Sequence, residues 1–265
     1  MSIVYVTSTS GAPGVSTLAV ALTLNWPRPV VLLEADVTKT SHLLAGYLRG
    51  QYKHTHSLTE AAIANLRGGL DGETLFGQTI SLGEGRYAIP GFSDLGGARG
   101  TTSAFWANML RALDQLPLTA AAPGLDIIVD AGRFTPADPR TPLIAAAEAV
   151  LMLSGDTLPD IHALYAAQPS LTTILDQAGH GDYLKLVLAK SYLTPATRYS
   201  QNEISAKTGL AVAGSIPWEP AAAAHYSHGS ATPAKRSGYT KELMNIISTL
   251  DADLAGRRYM PIGQD

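Results

Sequence analysis

Five stretches of this chain are apolar almost without interruption. They are "IVYV" (Ile3 to Val6), "RPVVLLEAD" (Arg28 to Asp36), "LDIIVDAG" (Leu125 to Gly132), "AEAVLMLSG" (Ala147 to Gly155) and "LKLVLAKS" (Leu184 to Ser191). A shorter one, "AVAGSIP" (Ala211 to Pro217), repeats the theme. A strand with one wet face alternates apolar and polar residues, so a continuous run means burial on both faces. Helical patterns stand between the runs, at Thr17 to Leu24, His56 to Leu66 and Thr102 to Leu116, and a last one covers Thr240 to Leu250. The second of these opens on a Ser or Thr cap, and the third places Phe105, Met109, Leu110 and Leu113 near helical spacing. Doubly buried strands separated by helices dictate an α/β fold, a doubly wound, mostly parallel sheet in a three-layer α/β/α arrangement. "RYAIPG" (Arg86 to Gly91) reads as a short strand ending at Pro90, and the rest of the Gly-rich segment from Gly68 to Gly100 as irregular surface structure. With no internal repeat and no dividing linker, residues 1–250 are expected to form a single domain and 251–265 a C-terminal tail.

Composition narrows the function classes. At 265 residues, 46% hydrophobic and 15% charged, the chain can bury a large core. Its net charge of −3 gives no global basic field, so nonspecific DNA binding is not expected. The absence of cysteine rules out disulfides and thiolate metal sites. No apolar run approaches the roughly 20 residues that span a bilayer, so an integral membrane role is not expected. Met1 leads directly into a strand-like segment without a basic leader, and the expected location is the cytoplasm.

In parallel α/β sheets ligands sit at the carboxyl ends of the strands. The polar residues there are Ser8 to Ser16, Glu34 and Asp36, Asp130, Ser154 to Asp156, and Lys190. The first group belongs to "TSTSGAPGVSTLAVAL" (Thr7 to Leu22), small residues between a strand and a helix. A standard phosphate loop reads G-x-x-x-x-G-K-[ST]. Its backbone amides and helix dipole hold phosphate, its lysine neutralises the β and γ phosphates, and its hydroxyl binds Mg²⁺. Here Gly11, Gly14, Ser16 and Thr17 supply glycines and hydroxyls, but Val15 stands at the lysine position. A plain strand-to-helix turn would use the same residues. The acids ending "VLLEAD" and "IIVD" tip the balance, because a Mg²⁺–nucleotide site needs one acid to orient water and another to hold the metal's hydration shell. The bland alternative is that Asp36 and Asp130 cap the turns that follow them.

This order of signals resembles the ParA/MinD group of deviant Walker ATPases, P-loop NTPases that include the Tad/CpaE-like pilus proteins. Their loop usually reads K-G-G-V-G-K-[ST]-[ST]. Aligned on the hydroxyls, "SGAPGVST" places Ser10 at the signature lysine, Gly11 and Ala12 at the glycine pair, Pro13 next, and Gly14 at the following glycine. Val15 then replaces the phosphate-loop lysine, Ser16 matches the Mg²⁺ hydroxyl, and Thr17 the residue after it. "VVLLEADVTKTSHLLAGYL" is similar to the family's V-L-L-I-D-x-D strand and switch I, and "LDIIVDAGRF" to its D-x-x-I-I-D-x-P-x-G segment, with Gly132 where proline is usual. The resemblance implies that Asp36 is the catalytic residue orienting the attacking water and that Ser16 and Asp130 serve the metal. It also implies that Lys190 and the Pro217 to Pro220 turn lie near the base, although Ala189 replaces the usual asparagine. A variant loop of the form S-G-x-P-G-V-[ST]-T resembles those of actinobacterial MinD-like proteins, which makes the loss of both lysines a subtype.

Two missing lysines weaken the hold on a triphosphate. One unit-charge attraction at about 4 Å is on the order of 4 kcal/mol at an effective dielectric near 20, before hydration is set against it. Weak ATP or ADP binding with Mg²⁺, and weak or absent hydrolysis, are therefore expected. Lys39, Arg99, Arg133 and Lys190 are candidates for a substitute cation, although a solvated surface role suits each of them. The implied function is a homodimeric positioning or partitioning protein that serves a pilus, secretion or partition machine. The alternative is a catalytically inactive pseudo-ATPase acting as a protein-interaction scaffold. Metal binding by His54 with His56 or His225 with His228 lacks a third ligand, and "GVSTL" lacks the second glycine of a nucleophile elbow. Trp106 and Trp218 read as core or interface residues, and the C-terminal helix as one packed on the sheet.

Overall fold

The uninterrupted apolar runs become the inner strands of one eight-stranded sheet. A computed structural model describes residues 1–10, 14–116, 125–193 and 197–258. The strands are β1 (Ile3–Ser8), β2 (Val30–Glu34), β3 (Ile80–Gly83), β4 (Arg86–Ile89), β5 (Asp126–Arg133), β6 (Ala149–Gly155), β7 (Leu184–Ala189) and β8 (Ala211–Ile216). Their order is β3-β4-β2-β5-β1-β6-β7-β8. Every neighbouring pair is parallel except β3 with β4, which is antiparallel at the edge. The doubly wound, mostly parallel sheet expected from the sequence is therefore the sheet found.

The helices are α1 (Val15–Asn25), α2 (Leu58–Leu66), α3 (Gly72–Phe76), α4 (Leu95–Arg99), α5 (Ser103–Asp114), α6 (Thr141–Ala145), α7 (Leu158–Gln177), α8 (Gln201–Thr208), α9 (Pro220–His228) and α10 (Gly238–Arg258), with a π-helical turn at Leu43–Tyr47. Strand residues alternate between the two faces. Ile3 and Tyr5 pack among side chains from α2 through α8, while Val4 and Val6 pack with α1, the π-helical turn, α9 and α10. Both faces are covered, which is why the strands carry no polar alternation. Each fully buried Leu or Val adds about 1.5–3 kcal/mol relative to exposure. Helix α1 lies in the middle of its layer, and its buried residues run from Val15 to Thr23 with few gaps, so it shows no polar stripe. Where amides open towards water, side chains cap them: Asp71 for α3, Asp94 for α4, Thr102 for α5, and a reciprocal Ser200–Glu203 box for α8.

Two expectations are corrected and one unforeseen helix is added. The segment Gly68 to Gly100 is ordered: it holds α3, the β3–β4 hairpin and α4, and Leu75, Phe92 and Ala98 in it are buried. Helix α7 carried no clear sequence signal, because Pro169 interrupts it and only Leu164, Leu171 and Leu175 are buried. Helix α10 does not stop at Leu250 but runs to Arg258, with Leu254 fully buried against the α1 layer. Ion pairs from Asp251 to Arg28 and from Asp253 to Lys185 fasten this last part to the sheet's lower edge. Among the described residues no helix is long and apolar enough to cross a membrane.

Leu254 tests whether the end of α10 belongs to the folded body. Leu254→Ala is expected to lower unfolding stability by about 2–4 kcal/mol in a urea titration. A frayed tail would give no change.

Candidate functional site

Three adjacent central strands, β2, β5 and β1, deliver their carboxyl ends to one place. The register pairs Val6 with Asp130 and Glu34 with Asp130, so the three exits lie side by side. They open on a cleft of about 500 Å³ lined by Ser8 and Ser10, by the start of α1 from Gly14 to Thr17, by Asp36, Thr38, Lys39 and His42, and by Gly132–Arg133 and Ser227–His228. Gly14 caps α1 in the left-handed region, at φ 98, where a side chain would be strained. It offers no side-chain cap, and Val15, Ser16 and Thr17 line the cleft as the first turn of α1. Uncapped amides at a helix start carry partial positive charge, the usual basis of anion binding there. Ser10 also reaches the cleft, but its hydroxyl donates to Asp160 Oδ1 at 3.3 Å. Gly11, Ala12 and Pro13 lie outside the described residues.

The expected acids take different positions. Asp36 lines the cleft and is 5% exposed. Its Oδ1 accepts from Thr38 N at 2.8 Å and Thr38 Oγ1 at 2.6 Å. Gly132, at φ 57, lets this carboxylate approach: a Cβ there would lie 2.0 Å from Asp36 Oδ2. Asp130 is 1% exposed beneath the cleft, and its Oδ1 accepts from Gly132 N at 3.2 Å. Glu34 turns away into the interior, where it accepts from the Ser41 hydroxyl, from Leu43 N at 2.8 Å and from Gly91 N at 2.9 Å. Burial pushes the Glu34 carboxyl above its ordinary range. It serves to anchor the π-helical turn rather than to face a ligand.

The cation that meets the Ser16 hydroxyl is Lys39. Its ammonium donates to the Ser16 hydroxyl and lies 3.3 Å from Asp36 Oδ2. Burial works against its charge, but the carboxylates of Asp130, Asp36 and Glu34 outweigh burial and hold its pKa above that of an ordinary lysine. Arg133, exposed at the end of β5, shares the cleft, whereas Arg99 sits exposed at the end of α4. His42 and His228 close the far wall. Burial, and then Lys39, push the His42 imidazole below its usual pKa, which favours its neutral form.

A second groove of about 610 Å³ adjoins the first and shares Gly14, Thr17, Ser227 and His228 with it. Lys190 and Pro217 line this groove, not the cleft. The Lys190 ammonium lies 4.0 Å from Asp156 Oδ2. Trp106 is fully buried, as expected, but Trp218 is 58% exposed and its ring lies 5.3 Å from that of Tyr192 at the rim. His54 and His225 bond the carbonyls of Gly91 and Ser230, and among the described residues no group of three or more His, Cys, Asp or Glu stands together to hold a metal.

Sequence reasoning missed Arg140, which is 1% exposed. Its Nε donates to Asp138 Oδ1 at 2.7 Å and its Nη2 to Asp138 Oδ2 at 2.6 Å. The remaining hydrogens reach the carbonyls of Ala35 at 3.0 Å, Arg133 at 2.9 Å and Ala131. Arg140 is therefore a positioning residue that ties the end of β2 to the end of β5. The flanking prolines in "ADPRTP" mark a turn but give no sign that the arginine is buried.

Arg140→Met leaves Asp138 charged and unpaired in the interior, and an unfolding loss of about 3–5 kcal/mol is expected. Adding Asp138→Asn should recover part of that loss in a double-mutant cycle by urea denaturation. Independent, additive effects would contradict the pairing.

No protein-family model and no curated protein matches the sequence. Solved structures do match it in shape. A ParA family ATPase from Chlorobium tepidum superimposes with a TM-score of 0.72 at 13% identity, over 93% of this chain and 98% of that one. The septum site-determining protein MinD from Pyrococcus horikoshii, complexed with Mg-ADP, gives 0.70 at 16% identity, over 98% and 99%. A putative plasmid partition protein from Borrelia burgdorferi, bound to AMPPNP, gives 0.67 at 12%, over 95% and 98%. The likeness runs through nearly the whole length of both partners, and the chain has the fold of the ParA and MinD ATPases, a P-loop NTPase-like three-layer α/β/α sheet.

Proposed function

We propose that this chain is a nucleotide-binding protein of the ParA/MinD kind, which positions a larger cellular machine and hydrolyses its nucleotide slowly or not at all. One observation carries the reading. The uncapped start of α1, with Gly14 in its left-handed turn, shares a cleft with Lys39 and Arg133 at the carboxyl ends of β1, β2 and β5. A helix start, a mobile-armed ammonium and a guanidinium around one space suit a polyphosphate. The solved proteins of this shape that carry Mg-ADP or AMPPNP make a nucleotide the first ligand to try. In this reading the adjoining groove, with Lys190 and Pro217, receives the base, and the protein works as a cytoplasmic homodimer that engages a pilus, secretion or partition apparatus.

The scaffold alternative, a pseudo-ATPase, has its own support in the treatment of Asp36. A residue that orients an attacking water needs a free oxygen. Asp36 Oδ1 holds Thr38, and Oδ2 lies beside Lys39. Val15 in place of the loop lysine also removes a charge that would stabilise the transferring phosphoryl group.

Calorimetry with ATP, followed by a steady-state phosphate-release assay, decides the matter. The expected outcome is weak binding with little turnover. Turnover that disappears in Asp36→Ala would make the protein a working ATPase. The absence of both heat and a thermal shift at millimolar ATP would remove the nucleotide reading. Nonspecific DNA should give no signal even at low salt; binding that falls steeply as salt rises would restore the DNA-partition role.

A further inference from the structure

Mg²⁺ bound to a phosphate loop attaches directly to the loop hydroxyl and reaches the neighbouring acids through its water shell. It requires near-octahedral oxygen coordination at about 2.0–2.1 Å and gives up water reluctantly. Here the Ser16 hydroxyl already accepts from the Lys39 ammonium, which also faces Asp36 Oδ2 at 3.3 Å. A dication drawn to the same oxygen would meet that ammonium at close range with like charge. The acids are engaged as well: Asp36 Oδ1 holds both donors of Thr38, and Asp130 Oδ1 holds Gly132 N. The residues as arranged do not fit the ion.

We propose that Lys39 is a built-in cation that replaces the divalent metal, so that the cleft takes the di- or triphosphate of a metal-free nucleotide. The proposal rests on the nucleotide reading above and names the ionic form of the ligand. An ammonium has three hydrogens. One goes to Ser16 and one is directed at Asp36, which leaves one for a phosphate oxygen at the mouth of α1. The Lys39 side chain is 37% exposed, so a ligand in the cleft can reach it. Lys39 joins the loop from 23 positions away and restores a positive charge where Val15 supplies none. A single ammonium brings half the charge of the metal it replaces, so affinity is modest, and it offers no Lewis acid to polarise a phosphorus–oxygen bond. Retained binding with lost hydrolysis follows from one substitution of cation.

The test is calorimetric titration of the whole protein with ATP and with ADP, once in EDTA and once in excess Mg²⁺. Binding in EDTA that is at least as tight as in Mg²⁺ is expected. Lys39→Ala, checked for folding by a thermal melt, is expected to weaken the EDTA affinity by at least about tenfold, the loss of one charge-assisted hydrogen bond. Binding that requires Mg²⁺, or an EDTA affinity unmoved in Lys39→Ala, overturns the built-in cation and leaves the nucleotide reading standing. Absence of binding in both buffers removes the two together. The wild-type comparison alone can refute the proposal, so the result does not depend on the variant being stable.

Discussion

The guanidinium of Arg140 is withdrawn from water at the point where two strands end. Taking such a charge into the interior costs several kcal/mol, and only full hydrogen bonding with a paired anion offsets the cost. Arg140 has both: a two-point contact with Asp138, and the carbonyls of Ala35, Ala131 and Arg133. Ala35 immediately precedes Asp36, while Ala131 and Arg133 flank Gly132. The arginine therefore sets the spacing between Asp36, just beyond β2, and Gly132, near the end of β5.

From that spacing the rest of the cleft follows by short steps. Gly132 presents only hydrogen to Asp36, and the carboxylate moves in against its backbone. Asp36 then folds the next residues back through its bonds to Thr38 N and Oγ1, the local turn that aspartate favours. That turn carries Lys39 across the floor to the first turn of α1. Glu34 holds the far side of the same segment by accepting from Leu43 N and from Gly91 N. The position of the ammonium thus derives from main-chain geometry at the ends of two strands.

Much of this fold can be read in the sequence, because continuous apolar runs report a physical fact, burial on both faces of a strand. "VVLLE", "DIIVD" and "LMLSG" are unmistakable in this sense. Strand β4 is legible in "RYAIPG", but its hairpin partner β3 is not, since exposed residues such as Ser81 and the glycines around it obscure any period. Helix α7 is hidden for a related reason: its buried leucines are sparse and a proline lies within it. At the site, the start of α1, Asp36 and Asp130 could be located because strand ends converge in any sheet of this kind. The inward turn of Glu34, the burial of Arg140 and the seat of Lys39 could not. Each depends on partners far away in the chain, and residue type alone does not say which lysine or arginine will find one.

The bond between Lys39 and Ser16 also bears on what a change at position 15 would do. In an ordinary phosphate loop the charge is carried by the residue before the hydroxyl; here that residue is Val15, and the charge arrives from the turn that follows β2. A lysine introduced at position 15 would bring a second ammonium into a cleft that already holds that of Lys39. The worth of a charge at position 15 therefore depends on what stands at position 39, and the two positions are coupled through the single hydroxyl of Ser16.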